Sequence, residues 1–198
     1  MLAAAALTMK MITSFRPRYL AMPGILAGVD GRCELGDIIV TDPAWDYGSG
    51  KLQSEGGARA FLPAPYQVSI NSFIRGKLPR MAKDQALLDE IRRSYSGTPL
   101  GTALKMHLGP VASGASVVAD PSFLEEVKLQ HRKLLGVEME AYGVLAAAEE
   151  SPLPQPKAFS IKSVCDFGDE NKNDQFQHYA AFTSASALKI FVERYLLL

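Results

Sequence analysis

The stretch "GVEMEAYGV" at residues 136–144 places two acids, Glu138 and Glu140, on either side of Met139 among small and aliphatic residues. A further acid, Asp166, follows Cys165 at the end of another apolar stretch. Carboxylates are seldom buried without a partner, because burial disfavours the charged form. Two interpretations of the glutamates stay open: they bind a polar ligand such as a sugar, or they lie at a turn or helix N-terminus, where the helix dipole favours acids.

A pair of carboxylates on separate strands has the chemistry needed to cleave an N-glycosidic bond to a purine. One carboxylate accepts hydrogen bonds from the sugar hydroxyls, and the other acts as a general acid on the leaving base. The sugar develops oxocarbenium character, much as in glycoside hydrolysis.

Other chemistries have weaker support in the sequence. His107, His131 and His178 lack the spacing of metal ligands, so we interpret them as structural or surface residues and expect no metal site. No histidine occupies a recognisable partner position for Cys165, and Ser113 lies outside a G-x-S-x-G pattern. Asp169 and Glu170 are interpreted as part of a solvated turn.

Apolar runs and turn residues predict the elements that must position these side chains. Strands are predicted at 19–29, 35–42, 134–139 and 157–170, with β-prone runs in 103–120 and the last strand ending in a polar loop. Helices are predicted at 2–15, 79–95, 122–132, 140–150 and 174–197, the last capped by Asp174. Residues 43–57 are rich in turn formers and predict a surface loop or flap. Strands that alternate with helices indicate an α/β protein with a largely parallel or mixed sheet.

The candidate residues lie near the ends of predicted strands. They are Gly24–Gly28, Ser113–Val118, Glu138–Glu140 and Cys165–Asp166. Since open α/β sheets bind ligands outside the carboxyl ends of their strands, we expect these residues to converge on one site.

Composition limits the possible partners. A chain of 198 residues with 47% hydrophobic content can bury one sizeable core, so a single domain is expected over residues 1–198. Lys plus Arg and Asp plus Glu both number 21, and this balance gives no indication of a surface for nucleic acid or anionic lipid. Cys33 and Cys165 suit reduced thiols of a cytoplasmic protein. The apolar start lacks a basic segment before it and is interrupted by Lys10, so no signal peptide or membrane span is expected.

Four segments resemble the purine nucleoside phosphorylase superfamily, nearest its methylthioadenosine/S-adenosylhomocysteine nucleosidase branch. They are "GVEMEAYGV", "SVCDFGD", the "PGILAGV…LGDIIVTD" unit and "GPVASGASVVAD", in the family's order and across nearly all of the chain. The resemblance implies a three-layer α/β sandwich whose central mixed, largely parallel sheet is flanked by helices. It also implies an enzyme that hydrolyses the N-glycosidic bond of a purine nucleoside or nucleotide without a cofactor.

The resemblance assigns the sugar side of the site to the V-E-M-E run. Glu140 matches the acceptor for the ribose hydroxyls, Met139 matches the residue that packs against the nucleoside, and Glu138 matches an acid that lines the same pocket.

On the base side, Asp166 matches the aspartate that hydrogen-bonds or protonates the purine at N7. Val117 and Val118 match positions that touch the base, and at the first of them, Val117, the family often has an aromatic residue. Gly28, in the glycine-containing loop after the first predicted strand, completes the expected substrate-binding set.

Two departures from the family concern the nucleophile. Met22, Pro23 and Ile25 offer no side-chain donor where the phosphorylases grip phosphate, so water is favoured, although backbone N–H groups of the loop could hold an anion. From the resemblance we also expect residues 1–198 to lack the N-terminal strands of the family fold, with the glutamate that activates water. A nucleoside-binding sensor or interaction domain and a phosphate-dependent phosphorylase therefore stay as alternatives. Exposed sheet edges are expected to favour a homo-oligomer, a dimer or higher.

A third departure is "PAWDYGSGK" at residues 43–51, which resembles loops of bacterial phosphorylase-like domains joined to signalling or effector modules. Trp45 and Tyr47 are predicted either to cover a ligand or to pack at a dimer interface.

Overall fold

A computed structural model describes residues 1–169 and 174–196, without the side chains of Glu55 and Ala58. The strands are β1 (Tyr19–Gly28), β2 (Ile38–Asp46), β3 (Gly50–Glu55), β4 (Ala58–Pro63), β5 (Gln67–Val68), β6 (Met106–Ser113), β7 (Gly136–Glu138) and β8 (Lys157–Asp166). The helices are α1 (Leu2–Phe15), α2 (Ser72–Ala82), α3 (Gln85–Arg93), α4 (Pro121–Gln130), α5 (Ala141–Glu149) and α6 (Gln177–Phe191), and a π-helical turn (Val192–Leu196) follows α6.

The main sheet has the strand order β5-β2-β6-β7-β1-β8 and is mixed. The pairs β1–β8, β2–β6 and β6–β7 are parallel, whereas β1–β7, β2–β5 and β2–β8 are antiparallel. The predicted α/β class with a mixed sheet flanked by helices is therefore confirmed. Strand β8, at one end of this order, also pairs with β2, so that β2, β6, β7, β1 and β8 form a closed ring that the sequence pattern does not predict, and β5 lies outside the ring.

The centre of the fold is β8, a nearly continuous apolar run that is buried over nine of its ten residues. Such a run is typical of a strand covered on both faces. Helix α6 packs against β8 and β1. Phe159 on β8 and Phe191 on α6 meet edge to face with ring centroids 5.5 Å apart, and both are fully buried. This contact anchors the strand that carries Asp166.

The predicted helix over 79–95 is wrong in its bounds. Two helices, α2 and α3, occupy this part of the chain, and Pro79 lies inside α2 instead of at a helix start. The helices separate at Lys83 because Asp84 caps α3, with its side chain accepting a hydrogen bond from Leu87 N at 3.1 Å.

The predicted surface loop or flap over 43–57 is wrong for residues 43–46, which continue a strand of the main sheet, whereas the residues after Tyr47 form a largely exposed hairpin. Strand β2 continues to Asp46, and β3 and β4 then form a separate antiparallel hairpin. Trp45 is fully buried, and its Nε1 donates to Gln130 Oε1 on α4 at 3.0 Å. Tyr47 is also buried and packs edge to face on Phe123 at 5.4 Å. Both rings pack under α4, so neither predicted role, ligand cover or dimer contact, fits Trp45.

The closing helix α6 begins at Gln177, three residues after the predicted cap Asp174. The predicted turn residue Glu170 and the predicted helical residue Leu197 lie outside the described residues. In the described part of the chain, no helix has the length and apolar character needed to cross a membrane.

Candidate active site

A cavity of about 470 Å³ opens between β1, the end of β7, β8 and the loop that follows β6. Six of the seven predicted site residues line it: Val117, Val118, Glu138, Met139, Glu140 and Asp166. The residues predicted for the sugar side and for the base side therefore share one cavity.

Gly28 is the predicted site residue that does not line the cavity. A Cβ atom at this position would lie 2.7 Å from Cys33 Sγ and 2.8 Å from Val164 Cγ1. Close packing between β1 and its neighbours accounts for this glycine, without any contact to a ligand.

The cavity does not lie at a single carboxyl edge of the sheet, contrary to the expectation from open α/β folds. Strands β1 and β8 run opposite to β6 and β7, because β1 pairs antiparallel with β7. Residues in the middle of β1 and β8, Gly24 and Lys162, therefore line the cavity together with Glu138 at the end of β7.

Glu138 is buried and is held by several donors. Its carboxylate accepts hydrogen bonds from Glu140 N at 2.8 Å, from Ala141 N at 2.9 Å and from the Ser113 hydroxyl. Ala141 begins α5, so these contacts match the helix N-terminus interpretation of the acid. Lys162 Nζ lies 2.6 Å from Glu138 Oε2 and supplies the balancing charge.

Lys162 joins the two glutamates. Its Nζ also lies 2.7 Å from Glu140 Oε2, and its side chain is 3% exposed, whereas that of Glu140 is 44% exposed. The charge that allows two acids near the core is therefore a lysine of this chain. Sequence reasoning missed it, although one signal was present: Lys162 interrupts the apolar strand "KAFSIKSVCD" four residues before Asp166.

The Glu138–Lys162 pair is ionised at neutral pH. Burial raises the pKa of Glu138, but the charge of Lys162 and hydrogen bonds from Lys162, Ser113 and Ala141 outweigh burial and leave the pKa below its ordinary value. Burial lowers the pKa of Lys162, but Glu138 and then Glu140 outweigh it and leave the pKa raised.

A β-bulge shapes the base side of the cavity. Leu26 pairs with Val164, and Ala27 pairs with Asp166, so Cys165 is an extra residue in β8. The bulge brings the consecutive residues Cys165 and Asp166 to the cavity. Asp166 is 7% exposed, and its carboxylate accepts a hydrogen bond from Gly168 N at 2.8 Å and one from Cys165 Sγ at 3.2 Å.

Tyr47 packs against the loop that carries Val117 and Val118. A Cβ on Gly114 would lie 1.7 Å from Tyr47 Cζ, so the ring occupies the space that a larger residue would need. The Tyr47 hydroxyl donates to Ser116 O at 3.3 Å. Val118 is buried and Val117 is exposed, so the two valines present different amounts of surface to a ligand.

Met22, Pro23 and Ile25 line the cavity with apolar side chains, as the sequence predicts. The cation beside this segment is Lys162, which lies opposite Gly24 in the β1–β8 register and is already paired with two carboxylates. Within residues 1–169 and 174–196, no group of three or more His, Cys, Asp or Glu side chains could hold a metal ion.

Comparison with known proteins identifies the family. Residues 1–197 match the Phosphorylase superfamily, and the chain belongs to it. The fold agrees, because the chain superposes on the methylthioadenosine/S-adenosylhomocysteine nucleosidase of Helicobacter pylori with a TM-score of 0.75 and 19% sequence identity, over 97% of this chain and 75% of that one.

Two curated relatives extend the comparison. The chain is 40% identical over 194 residues to the uncharacterized protein y4jS of Sinorhizobium fredii, covering 98% of this chain and 47% of that protein. It is 29% identical over 193 residues to the ATP nucleosidase Cap17 of Escherichia coli, covering 92% of this chain and 37% of that protein. The chain thus spans less than half of the length of each of these relatives.

Proposed function

We propose that this chain forms the catalytic domain of a purine N-glycosidase, which hydrolyses the bond between a purine and the sugar of a nucleoside or nucleotide. The observation that carries the proposal is the cavity that holds Asp166 on one side and the Glu138–Glu140 run on the other. Relatives named as nucleosidases, both for ATP and for methylthioadenosine and S-adenosylhomocysteine, support it.

In this proposal Glu140 binds the sugar. Its carboxylate is partly exposed, lines the cavity and lies 2.7 Å from Lys162 Nζ, so it is placed to accept hydrogen bonds from ribose hydroxyls. Met139 packs against the nucleoside, and Val117 and Val118 contact the base.

Asp166 acts on the base. As the carbon–nitrogen bond breaks, its electron pair passes to the purine, and a proton from Asp166 to N7 neutralises the leaving group. Water supplies the hydroxyl that the sugar carbon gains, and the second proton of that water returns to the solvent or to Asp166. The apolar Met22, Pro23 and Ile25 segment favours water over phosphate as the nucleophile.

The first experiment is chromatographic detection of free base. The chain is incubated with adenosine, guanosine, methylthioadenosine, adenosine monophosphate and ATP, each with and without phosphate, because the named relatives act on substrates with different 5′ substituents. Base release independent of phosphate is expected. Release that requires phosphate would indicate a phosphorylase, and binding without release would indicate a nucleoside-binding domain.

Asp166→Asn tests the role of the acid. The amide cannot donate the proton, so turnover is expected to fall by about 100-fold or more while nucleoside affinity changes little. Asp169→Asn is the matched control, since Asp169 lies in the same connection after β8 but does not line the cavity. An unchanged rate in Asp166→Asn would remove this residue from the mechanism.

We also propose that the protein is a cytoplasmic homo-oligomer. Leu7, Met11 and Phe15 form an exposed apolar stripe along α1, of the kind that contacts between chains cover. Both cysteines, Cys33 and Cys165, are buried and neither forms a disulfide, as is usual in a reducing compartment. Light scattering measures the assembly directly.

A further inference from the structure

We infer that Lys162 is a positioning residue, which aims the Glu140 carboxylate at the sugar side of the cavity, and that this role is separate from its balancing the charge of Glu138. The inference rests on the proposed function, because it assigns Glu140 to the sugar. It goes beyond that function because Lys162 would influence nucleoside affinity and turnover, although it is neither the general acid Asp166 nor the residue that binds the sugar, Glu140.

The two glutamates depend on Lys162 to different degrees. Glu138 has further donors in the Ser113 hydroxyl and the backbone N–H groups of Glu140 and Ala141. For the Glu140 carboxylate, Lys162 is the hydrogen-bonding partner among the described residues, at 2.7 Å from Oε2. Loss of the lysine therefore leaves Glu138 in place and releases the Glu140 side chain.

The lysine itself is held rigidly. It projects from the middle of β8 opposite Gly24 of β1, and its side chain is 3% exposed. A Cβ on Gly24 would lie 3.3 Å from Lys162 Cε, so the glycine leaves room for the aliphatic part of the lysine. A buried cation in a fixed place can hold a carboxylate in one orientation, which is the requirement for a pre-organised site.

The geometry also assigns the two oxygens of Glu140 different tasks. Lys162 contacts Oε2, and no protein donor among residues 1–169 and 174–196 contacts Oε1. Oε1 is thus the oxygen that accepts hydrogen bonds from the sugar, and the contact of Oε2 with Lys162 fixes the orientation of the carboxylate.

Four variants separate positioning from charge balance. Lys162→Met removes the cation, and Lys162→Arg keeps it. Lys162→Met combined with Glu138→Gln removes both members of the buried pair, so no uncompensated charge stays in the core. Arg75→Met is the matched control, because it removes an ion pair to Asp42 at 2.5 Å that does not line the cavity. Base release and nucleoside affinity are measured for each variant, with a thermal melt to confirm folding.

If Lys162 positions Glu140, the double variant melts like the native protein but has about 10- to 100-fold lower kcat/KM and weaker nucleoside binding, the size expected for a charge-assisted hydrogen bond. Lys162→Arg retains activity within about tenfold of the native protein, and Arg75→Met retains it fully. Native-like kcat/KM in the double variant overturns the inference, because Lys162 then only balances Glu138.

Measurements on the native protein test the proposed function independently of the role of Lys162. If it binds nucleoside without releasing base, hydrolysis is excluded, and the affinities of the same variants still decide the role of Lys162. If it neither binds nor cleaves any of the five compounds, both proposals are wrong.

Discussion

Asp37 and Glu138 are both buried acids whose carboxylates accept hydrogen bonds from two backbone N–H groups and contact one basic side chain. Asp37 accepts from Glu34 N and Lys105 N, each at 3.0 Å, and lies 2.9 Å from His107 Nε2. Glu138 accepts from two N–H groups at the start of α5 and lies 2.6 Å from Lys162. Apart from the Ser113 hydroxyl, which also donates to Glu138, the two clusters are alike in burial, backbone donors and basic partner.

The two clusters differ in whether the basic side chain also contacts a second acid. Asp37 precedes β2, where it ties the start of that strand to the start of β6 through Lys105 and His107. Lys162 instead reaches a second acid, Glu140, which is partly exposed and lines the cavity. A buried acid with satisfied hydrogen bonds therefore does not by itself indicate a binding site. What distinguishes Glu138 is that its ion pair with Lys162 extends to Glu140, a residue that lines the cavity.

Removal of the basic residue from each cluster gives the largest expected contrast. Lys162→Met leaves a buried carboxylate without its charge partner, so the free energy of unfolding is expected to fall by about 3–5 kcal/mol. His107→Leu removes one hydrogen-bonding partner of Asp37 and leaves both of its backbone donors, so a loss of about 1–2 kcal/mol is expected. Urea denaturation measures both, and equal losses would contradict the distinction between the clusters.

The pH dependence of stability sharpens the same contrast. The pKa of Glu138 is lowered in the fold, so its stabilisation is present above the ordinary value of about 4.3 and is lost as the pH falls through the lower folded-state pKa. The pKa of Lys162 is raised, so its stabilisation is present below about 10.4 and is lost as the pH rises through the folded-state pKa. The unfolding free energy that the pair contributes is therefore expected to be constant between these values and to decline on both sides.

The double variant Lys162→Met with Glu138→Gln lacks both titrating groups and serves as the reference. The difference in unfolding free energy between the native protein and this variant isolates the pair from other titrations. A difference that changes steadily across neutral pH would show that the pair does not behave as one ionised unit.

The sequence predicts the fold well where local pattern and packing agree. The helix at 2–15 and the strands β1 and β8 follow from apolar runs that end at turn residues. It fails where a tertiary contact decides. The turn formers in 43–57 do not prevent strand pairing, because Trp45 is buried against α4 and the hairpin closes on itself.

The same limit applies to the site. The V-E-M-E run and Asp166 stand out locally, as acids among apolar residues, and all of them line the cavity. Lys162 also lines the cavity, and locally it is only a lysine that interrupts an apolar strand. Its partners cannot be predicted from that pattern, because strands that run in opposite directions bring the middle of β8 beside the end of β7. Gly28 shows the converse: its type suggests a ligand loop, and packing against Cys33 accounts for it.

Substitution of Glu140 is expected to have the smallest effect on stability. It also separates an effect on nucleoside binding from an effect on stability most clearly. Its side chain is 44% exposed, so solvent screens its ion pair, and Glu140→Gln is expected to change the unfolding free energy by less than about 1 kcal/mol. The amide oxygen is a weaker acceptor for ribose hydroxyls, so nucleoside affinity is expected to fall by about 10- to 100-fold. Glu125→Gln is the control, because it removes an exposed ion pair to Lys128 at 2.6 Å that does not line the cavity. Affinity that falls equally in both variants, or in neither, would place the sugar away from Glu140. It would also make the Lys162 network a structural cluster of the same kind as that around Asp37.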